Sequence, residues 1–225
     1  MIQINKQEQP EILQEKKEQW TKELLELLRE KKPIPEKLKN KYRHPDIKKA
    51  LRESSFDKCV YCESKVTAIS FGDVEHIKPK SKYPDLTFDW DNLAFVCAKC
   101  NNEKSDNYDE ELPFINPYRE NPEDSLIALG HFIYHKAGNK RGKITEKDLN
   151  LNRPELIERR KERIDNIRRL LDLYAIESNP TSKEGLLKEI EEEIADDKPY
   201  SMCAKSTVSN LMPGIGENKA TNESA

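Results

Sequence analysis

The sequence predicts an α+β fold, mainly helical, with a small cysteine-framed core set between an N-terminal and a C-terminal helical arm. Three observations predict it. Apolar residues recur at helical spacing over residues 11–32 and again over 153–195, with Glu, Lys and Arg filling the positions between them. Residues 56–120 instead carry short apolar runs broken by Pro, Gly, Asp and Asn, together with four of the five cysteines. Hydrophobic residues make up 35% of the 225 positions and charged residues 36%, so much of the length must be solvated helix surface.

Four segments follow. Residues 1–55 read as an N-terminal helical arm and 56–120 as the core. Residues 121–200 read as a hairpin plus C-terminal helices, a candidate partner-binding region, and 201–225 as a tail, disordered at its end. In the first helix Leu13, Trp20, Leu24, Leu27 and Leu28 share a face, and "KKPIP" ends it. A shorter helical stretch over 35–53 is interrupted at His44-Pro45, which reads as a loop. Around 126–146, "LIALGHFIYHKAGNKRGKIT" reads as two β-prone runs joined by a Gly/Asn/Lys turn. A long helix opens after Asn152, with Pro154 in its first turn and Leu156, Ile157, Ile164, Ile167, Leu170, Leu171 and Tyr174 along one side. Another opens at "TSKE", where Thr181 and Glu184 fit a capping box, and runs to about Ala195.

The net charge of −3 argues against a general polyanion binder, but the charge is unevenly distributed. Residues 29–49 hold nine Lys/Arg against three Asp/Glu, and 136–169 hold twelve against six. Residues 59–120 reverse this, with seven basic and twelve acidic. Basic arms flanking an acidic centre suit a site that needs both carboxylates and cationic surface. No apolar run reaches the length of a membrane span and "MIQINKQEQP" lacks a secretory apolar stretch, so no membrane association and a bacterial cytoplasmic location are expected. In a reducing compartment cysteines serve as metal ligands more often than as disulfides.

Cys59 and Cys62 form "CVYC", Cys97 and Cys100 form "CAKC", and thirty-four residues separate the pairs. Each tight Cys-x-x-Cys turn aims two sulfurs at one point, so two of them close a tetrahedral thiolate site, which predicts a structural Zn²⁺ with no open position. Such a staple is needed because a core of about sixty residues buries too little apolar surface to hold alone. Tyr61 is expected to cover the ion, Trp90 to be core, and Cys203 to be a plain small apolar side chain.

Inside the frame lie "DVEHIKPKS" and "FDWDNLAFVC", with "NNEK" just after it. A purely structural zinc module needs none of these polar residues. Together they suggest phosphodiester hydrolysis, which requires a deprotonated water and a cation against the phosphate charge. His76, with an ordinary pKa near 6.5, suits a general base. Glu75 and Asn101 supply the oxygen donors that Mg²⁺ or Mn²⁺ prefers, and Lys104, one helical turn beyond Asn101, suits a phosphate contact. Asp73, Asp91 and Asn102 are neighbours that could replace these ligands. His131 and His135, with no carboxylate or cysteine beside them, suit surface or partner contacts.

The order C-x-x-C, E-H-x-x-P, W-x-N-L, C-x-x-C-N-x-x-K over about residues 56–108 resembles the HNH endonucleases. The resemblance implies a ββα-metal fold with His76 as general base and Glu75 beside it as a metal ligand. It further implies that Asn92 fixes the loop and orients the histidine, that Asn101 is the second protein ligand of the catalytic ion, and that Lys104 is a phosphate contact. Glu75 departs from the Asp that many members carry, which keeps the charge but lengthens the reach. "CVYCESK", "EHIKPKSKYPDLTFDWDNL", "CNNEKSD" and "LNLNRPELIERR" are further similar to the HNH subunits of Septu and retron-associated anti-phage systems. That likeness implies a DNA-cleaving effector working with an ABC-type ATPase. Two other readings remain open from the residues: a solitary restriction- or homing-type nuclease, and an inactive zinc-stapled module that binds nucleic acid or protein.

Overall fold

In the computed structural model, which describes residues 1–66 and 71–215, the N-terminal arm begins with helix α1 (Glu11–Arg29). Leu13, Trp20 and Leu24 are buried and Leu27 packs against them. Leu28 is 41% exposed, because the helical turn sets it on the flank of that stripe. Helix α2 (Glu36–Lys39) buries Leu38, a 3₁₀ turn over Lys41–Arg43 buries Tyr42, and α3 (Pro45–Ser54) buries Ile47 and Leu51. His44, expected in a loop, caps α3: its Nδ1 accepts from the Asp46 N–H at 3.3 Å. Pro45 takes the first helical position, where no N–H is needed.

The core follows in the order strand, strand, helix. Strand β1 (Asp73–His76) pairs antiparallel with β2 (Leu93–Val96), with Glu75 opposite Ala94 and His76 opposite Leu93, and α4 (Ala98–Lys104) comes next. All four residues of β2 are buried, as a strand covered on both faces must be. Gly72 enters β1 at φ 63°, and a Cβ there would lie 2.4 Å from the Phe95 ring, so only glycine fits.

Strands β3 (Leu126–Leu129) and β4 (Phe132–His135) form the hairpin, but the turn is not where the sequence placed it. It falls at Gly130-His131, with Gly130 at φ 58°, a two-residue connection that suits strand twist. The Gly/Asn/Lys stretch instead starts helix α5 (Lys140–Asp148), because Asn139 Oδ1 accepts the Gly142 N–H at 2.7 Å and caps it. His135, expected to make surface or partner contacts with no carboxylate beside it, pairs with Glu146 of α5 at 2.6 Å.

Helix α6 (Pro154–Ile176) buries Leu156, Ile164, Ile167 and Leu171, while Ile157, Leu170 and Tyr174 stay half-buried. Its fifth buried residue is Arg160, whose guanidinium donates to the Leu151 carbonyl at 2.7 Å. Helix α7 (Pro180–Glu193) is capped by Asn179 rather than Thr181: Asn179 Oδ1 accepts from the N–H groups of Thr181 and Ser182 at 3.0 and 3.1 Å. Within the expected tail, residues 201–211 form a further helix, α8 (Ser201–Leu211), burying Met202, Cys203, Ala204 and Val208. Its small Ser, Thr and Ala side chains carry little amphipathic signal, and contact with α6 and β3 makes up the difference. Glu63 ties α8 to the first cysteine turn by accepting from Ser201 Oγ at 2.7 Å and the Met202 N–H at 3.3 Å. Residues 216–225 of that expected tail lie outside the described residues. Among the described residues no helix is long and apolar enough to cross a membrane.

Candidate active site

The first cysteine turn is closed by the Cys59 N–H donating to Ser64 O and the Glu63 N–H to Cys59 O, both at 2.9 Å, with Glu63 in the left-handed region at φ 63°. Cys97 caps α4 and accepts from the Cys100 N–H at 3.4 Å, so one helical turn brings its partner back beside it. The Val60 N–H donates to Phe95 O at 3.1 Å and fastens the first turn to β2. As a result the four sulfurs lie within 4.8 Å of one another. Among the described residues this is the one set of three or more His, Cys, Asp or Glu whose donor atoms converge so closely. Cys62 Sγ and Cys97 Sγ are 3.8 Å apart, which fits the edge of a tetrahedron with ~2.3 Å metal–sulfur bonds. Four cysteine sulfurs so placed can hold a metal ion structurally.

Sequence reasoning missed the cation over this cluster. Arg153, 5% exposed at the start of α6, places its two terminal nitrogens 3.7 and 3.6 Å from Cys100 Sγ, and one of them 3.9 Å from Cys97 Sγ. Four thiolates around a divalent ion carry net negative charge, and a buried guanidinium offsets it. Nothing local marks this arginine, since it reaches the cluster only through folding.

Glu75, His76 and Asn101 line one pocket of about 330 Å³ together with Arg43, Lys80 and Asn102. The pleat should separate Glu75 from His76, but His76 ends β1, and at that end both side chains reach the same space. His76 Nε2 stands 2.9 Å from Thr87 O. A carbonyl only accepts, so Nε2 carries the hydrogen and Nδ1 keeps the lone pair. Burial, reinforced by the positive charges of Lys80, Lys104 and Arg43, lowers the ring's pKa to about 4, so it is neutral at pH 7.

Asn92 holds the loop that supplies Thr87. Its Oδ1 accepts the Lys78 N–H at 2.7 Å, and its Nδ2 donates to Lys78 O at 3.0 Å and Leu86 O at 3.1 Å. Asn92→Ala strands those buried groups, so it should cost about 1–3 kcal/mol in denaturant unfolding. Wild-type stability in that variant would remove the loop-fixing role.

Asn101 Nδ2 donates to Asp73 Oδ2 at 3.0 Å, which leaves the Asn101 carbonyl as an oxygen donor. Asp91 is exposed and faces Arg119 at 3.2 Å, outside this pocket's lining. Lys104 requires a correction. It is fully buried, and its ammonium bonds Glu75 Oε1 at 2.8 Å and His76 O at 2.9 Å, so no phosphate reaches it. On the face of α4 that it shares with half-buried Asn101, Lys104 turns in toward β1. Burial raises the Glu75 pKa, and the Lys104 charge opposes that rise. Lys104→Met should therefore cost about 3–5 kcal/mol, because one member of a buried ion pair is left behind. Adding Glu75→Gln to that variant should restore part of the loss in the same unfolding measurement.

A larger cleft of about 450 Å³ lies between β3 and α8, but Leu126, Ile127, Ile194 and Met202 line much of it and Glu123 is its one carboxylate. The chemistry collects in the smaller pocket.

The ββα order within a cysteine frame is the fold that the sequence resemblance implied, and residues 59–107 match the family model described as HNH endonuclease. Over 109 residues the chain is 38% identical to the Septu protein PtuB of Bacillus thuringiensis, covering 48% of this chain and 42% of that one. It is 29% identical over 150 residues to the Septu protein PtuB of Bacillus mycoides (strain KBAB4), covering 53% and 51%. It is also 24% identical over 180 residues to the Septu protein PtuA of the same strain, covering 64% of this chain and 24% of that one. The chain thus spans about half the length, or less, of the curated relatives it matches.

Proposed function

We propose that this chain is a metal-dependent HNH endonuclease that hydrolyses phosphodiester bonds of nucleic acid, DNA in the first instance. The observation that carries this reading is the meeting of Glu75, His76 and Asn101, from two different elements, in one pocket inside the segment that matches the HNH model. Glu75 and Asn101 offer a carboxylate and an amide carbonyl, the oxygen donors that suit Mg²⁺ or Mn²⁺, and the four cysteines would hold a structural Zn²⁺. When bound, the hard cation supplies charge neutralisation at the phosphate and the leaving oxygen.

The chain's own part is proton handling. His76, neutral and held through Nε2 by Thr87 O, accepts a proton from water at Nδ1. The water oxygen bonds phosphorus, the P–O3′ bond breaks, and the departing oxygen leaves as a 3′-hydroxyl once protonated by solvent. Asn92 positions the loop that holds the ring, and Lys104 fixes the Glu75 carboxylate from beneath.

The similarity to proteins named PtuB and PtuA supports a place in a Septu-type anti-phage system, with a PtuA-like ABC-type ATPase as partner. The helices flanking the core, including the 121–200 region, are then the surfaces a partner would use. Purification of the tagged chain from its native operon, followed by plasmid cleavage with Mg²⁺, tests both parts. Copurification of an ATPase with His76-dependent cleavage supports the whole reading. Cleavage by the chain alone, with nothing copurified, favours a solitary nuclease. Absence of cleavage with any divalent metal, alone or with the partner, would leave a zinc-stapled binding module.

A further inference from the structure

With Lys104 buried, the question is which cations a phosphate would meet at this pocket. Two line it: Arg43, exposed in the 3₁₀ turn of the N-terminal arm, and Lys80, half-buried in the loop after β1. Neither forms an ion pair among the described residues, whereas their neighbours Lys41 and Lys49 face Glu23 and Glu53 at 3.7 and 3.9 Å. Of the two carboxylates that line the pocket, Glu75 is paired with Lys104, and Asp106 accepts from Ser81 Oγ at 2.9 Å.

Tyr42 mounts both cations. It is 2% exposed, and its ring meets the His76 ring edge-on at 4.5 Å between centres. Lys80 Nζ donates to the Tyr42 hydroxyl at 2.9 Å and stands 4.3 Å from the ring centre, and the Arg43 guanidinium carbon lies 5.3 Å from the same ring. One buried aromatic therefore fixes the distance from the histidine to two positive charges, and cation–π contact holds them without using up their outward N–H groups. Arg43 lies outside residues 59–107, so this contribution comes from the arm and not from the matched segment.

We propose that Arg43 and Lys80, mounted on Tyr42, bind backbone phosphates of the nucleic-acid strand at the mouth of the pocket, so that the N-terminal arm supplies part of the substrate site. The inference rests on the nuclease reading and names the residues that would seat its substrate. An arginine fork and a lysine point charge side by side grip phosphate oxygens without reading bases.

The test is binding of a fluorescein-labelled DNA oligonucleotide, as single strand and as duplex, followed by anisotropy across a salt series. It uses the full chain carrying His76→Ala, with Mg²⁺ present, so that the probe survives. Arg43→Gln and Lys80→Gln should each weaken binding several-fold and reduce the slope of log K against log salt by about 0.7–0.9, the value of one phosphate contact. Tyr42→Phe, which keeps the ring but frees Lys80, should fall between wild type and Lys80→Gln, and Arg43→Lys should recover part of the arginine loss. Lys188→Gln on α7 removes the same charge from an exposed helix and should leave the slope unchanged. In the cleavage-competent protein the two Gln variants should raise KM more than they lower kcat. Wild-type slopes in both Gln variants overturn the proposal while leaving the nuclease reading intact if His76-dependent cleavage is present. Failure of the parent protein to bind either form of DNA also overturns the proposal, whereas the nuclease reading falls only with His76-dependent cleavage itself. Melting temperatures check that each variant is folded, which the exposed position of Arg43 favours.

Discussion

His76→Ala should lower the rate of the proposed nucleic-acid cleavage by about 10²–10⁴-fold, the usual contribution of a positioned general base, while a metal held by the four cysteines should stay in place. The histidine is 6% exposed and packs against Tyr42, so alanine also leaves a void beside that ring. A modest fall in melting temperature is therefore expected and does not by itself explain lost activity. His76→Gln separates the two effects: an amide of similar reach can still donate to Thr87 O but cannot take a proton near neutral pH. Cleavage should be lost in both variants, with stability closer to wild type in the second. A fully active His76→Gln protein would move the base to another group.

Cys97→Ser or Cys100→Ser has the larger effect on the fold. A structural zinc held by thiolates contributes on the order of 10–16 kcal/mol of apparent binding free energy, comparable with the ~5–15 kcal/mol that separates most domains from their unfolded state. Loss of one ligand should therefore release the metal and unfold the ββα core, which metal analysis and thermal melting detect together. Chelation of the wild-type protein should do the same. Cys203→Ser is the matched control for Cys100→Ser, because Cys203 in α8 is as buried as Cys100 but lies outside the cluster. That variant should keep its metal and lose only about 1–3 kcal/mol. If Cys100→Ser melts with Cys203→Ser rather than far below it, the cysteine frame is not what holds the core together.

Arg153 makes the first outcome sharper. Its guanidinium sits over Cys97 and Cys100 as a buried charge whose counter-charge is the thiolate cluster. Release of the metal with protonation of the sulfurs would leave that cation unpaired in the interior, which adds to the loss. The start of α6 is thereby coupled to the integrity of the core.

Local chemistry was legible in the sequence by itself. The spacing of Cys59, Cys62, Cys97 and Cys100 announced a cluster because a Cys-x-x-Cys turn aims its sulfurs through backbone geometry alone. The apolar stripe of α1 and most of that of α6 were legible because a helix buries residues at a fixed period. The juxtaposition of Glu75 and His76 could be read as chemistry because β1 ends at the histidine. What depended on contacts between distant segments could not be read. α8 carries too little apolar periodicity to declare itself and is held by α6, β3 and Glu63. The hairpin turn was misplaced because Gly130 and Gly138 both lie at positive φ, and only strand pairing selects the first. Lys104 could be placed on the right face of α4, but whether that face meets solvent or β1 is decided by how the helix docks. Docking buried it under Glu75, and by the same packing brought Tyr42, Arg43 and Lys80 to the rim beside His76. Spacing along the chain determined which groups could act together; tertiary packing decided which of them face the pocket.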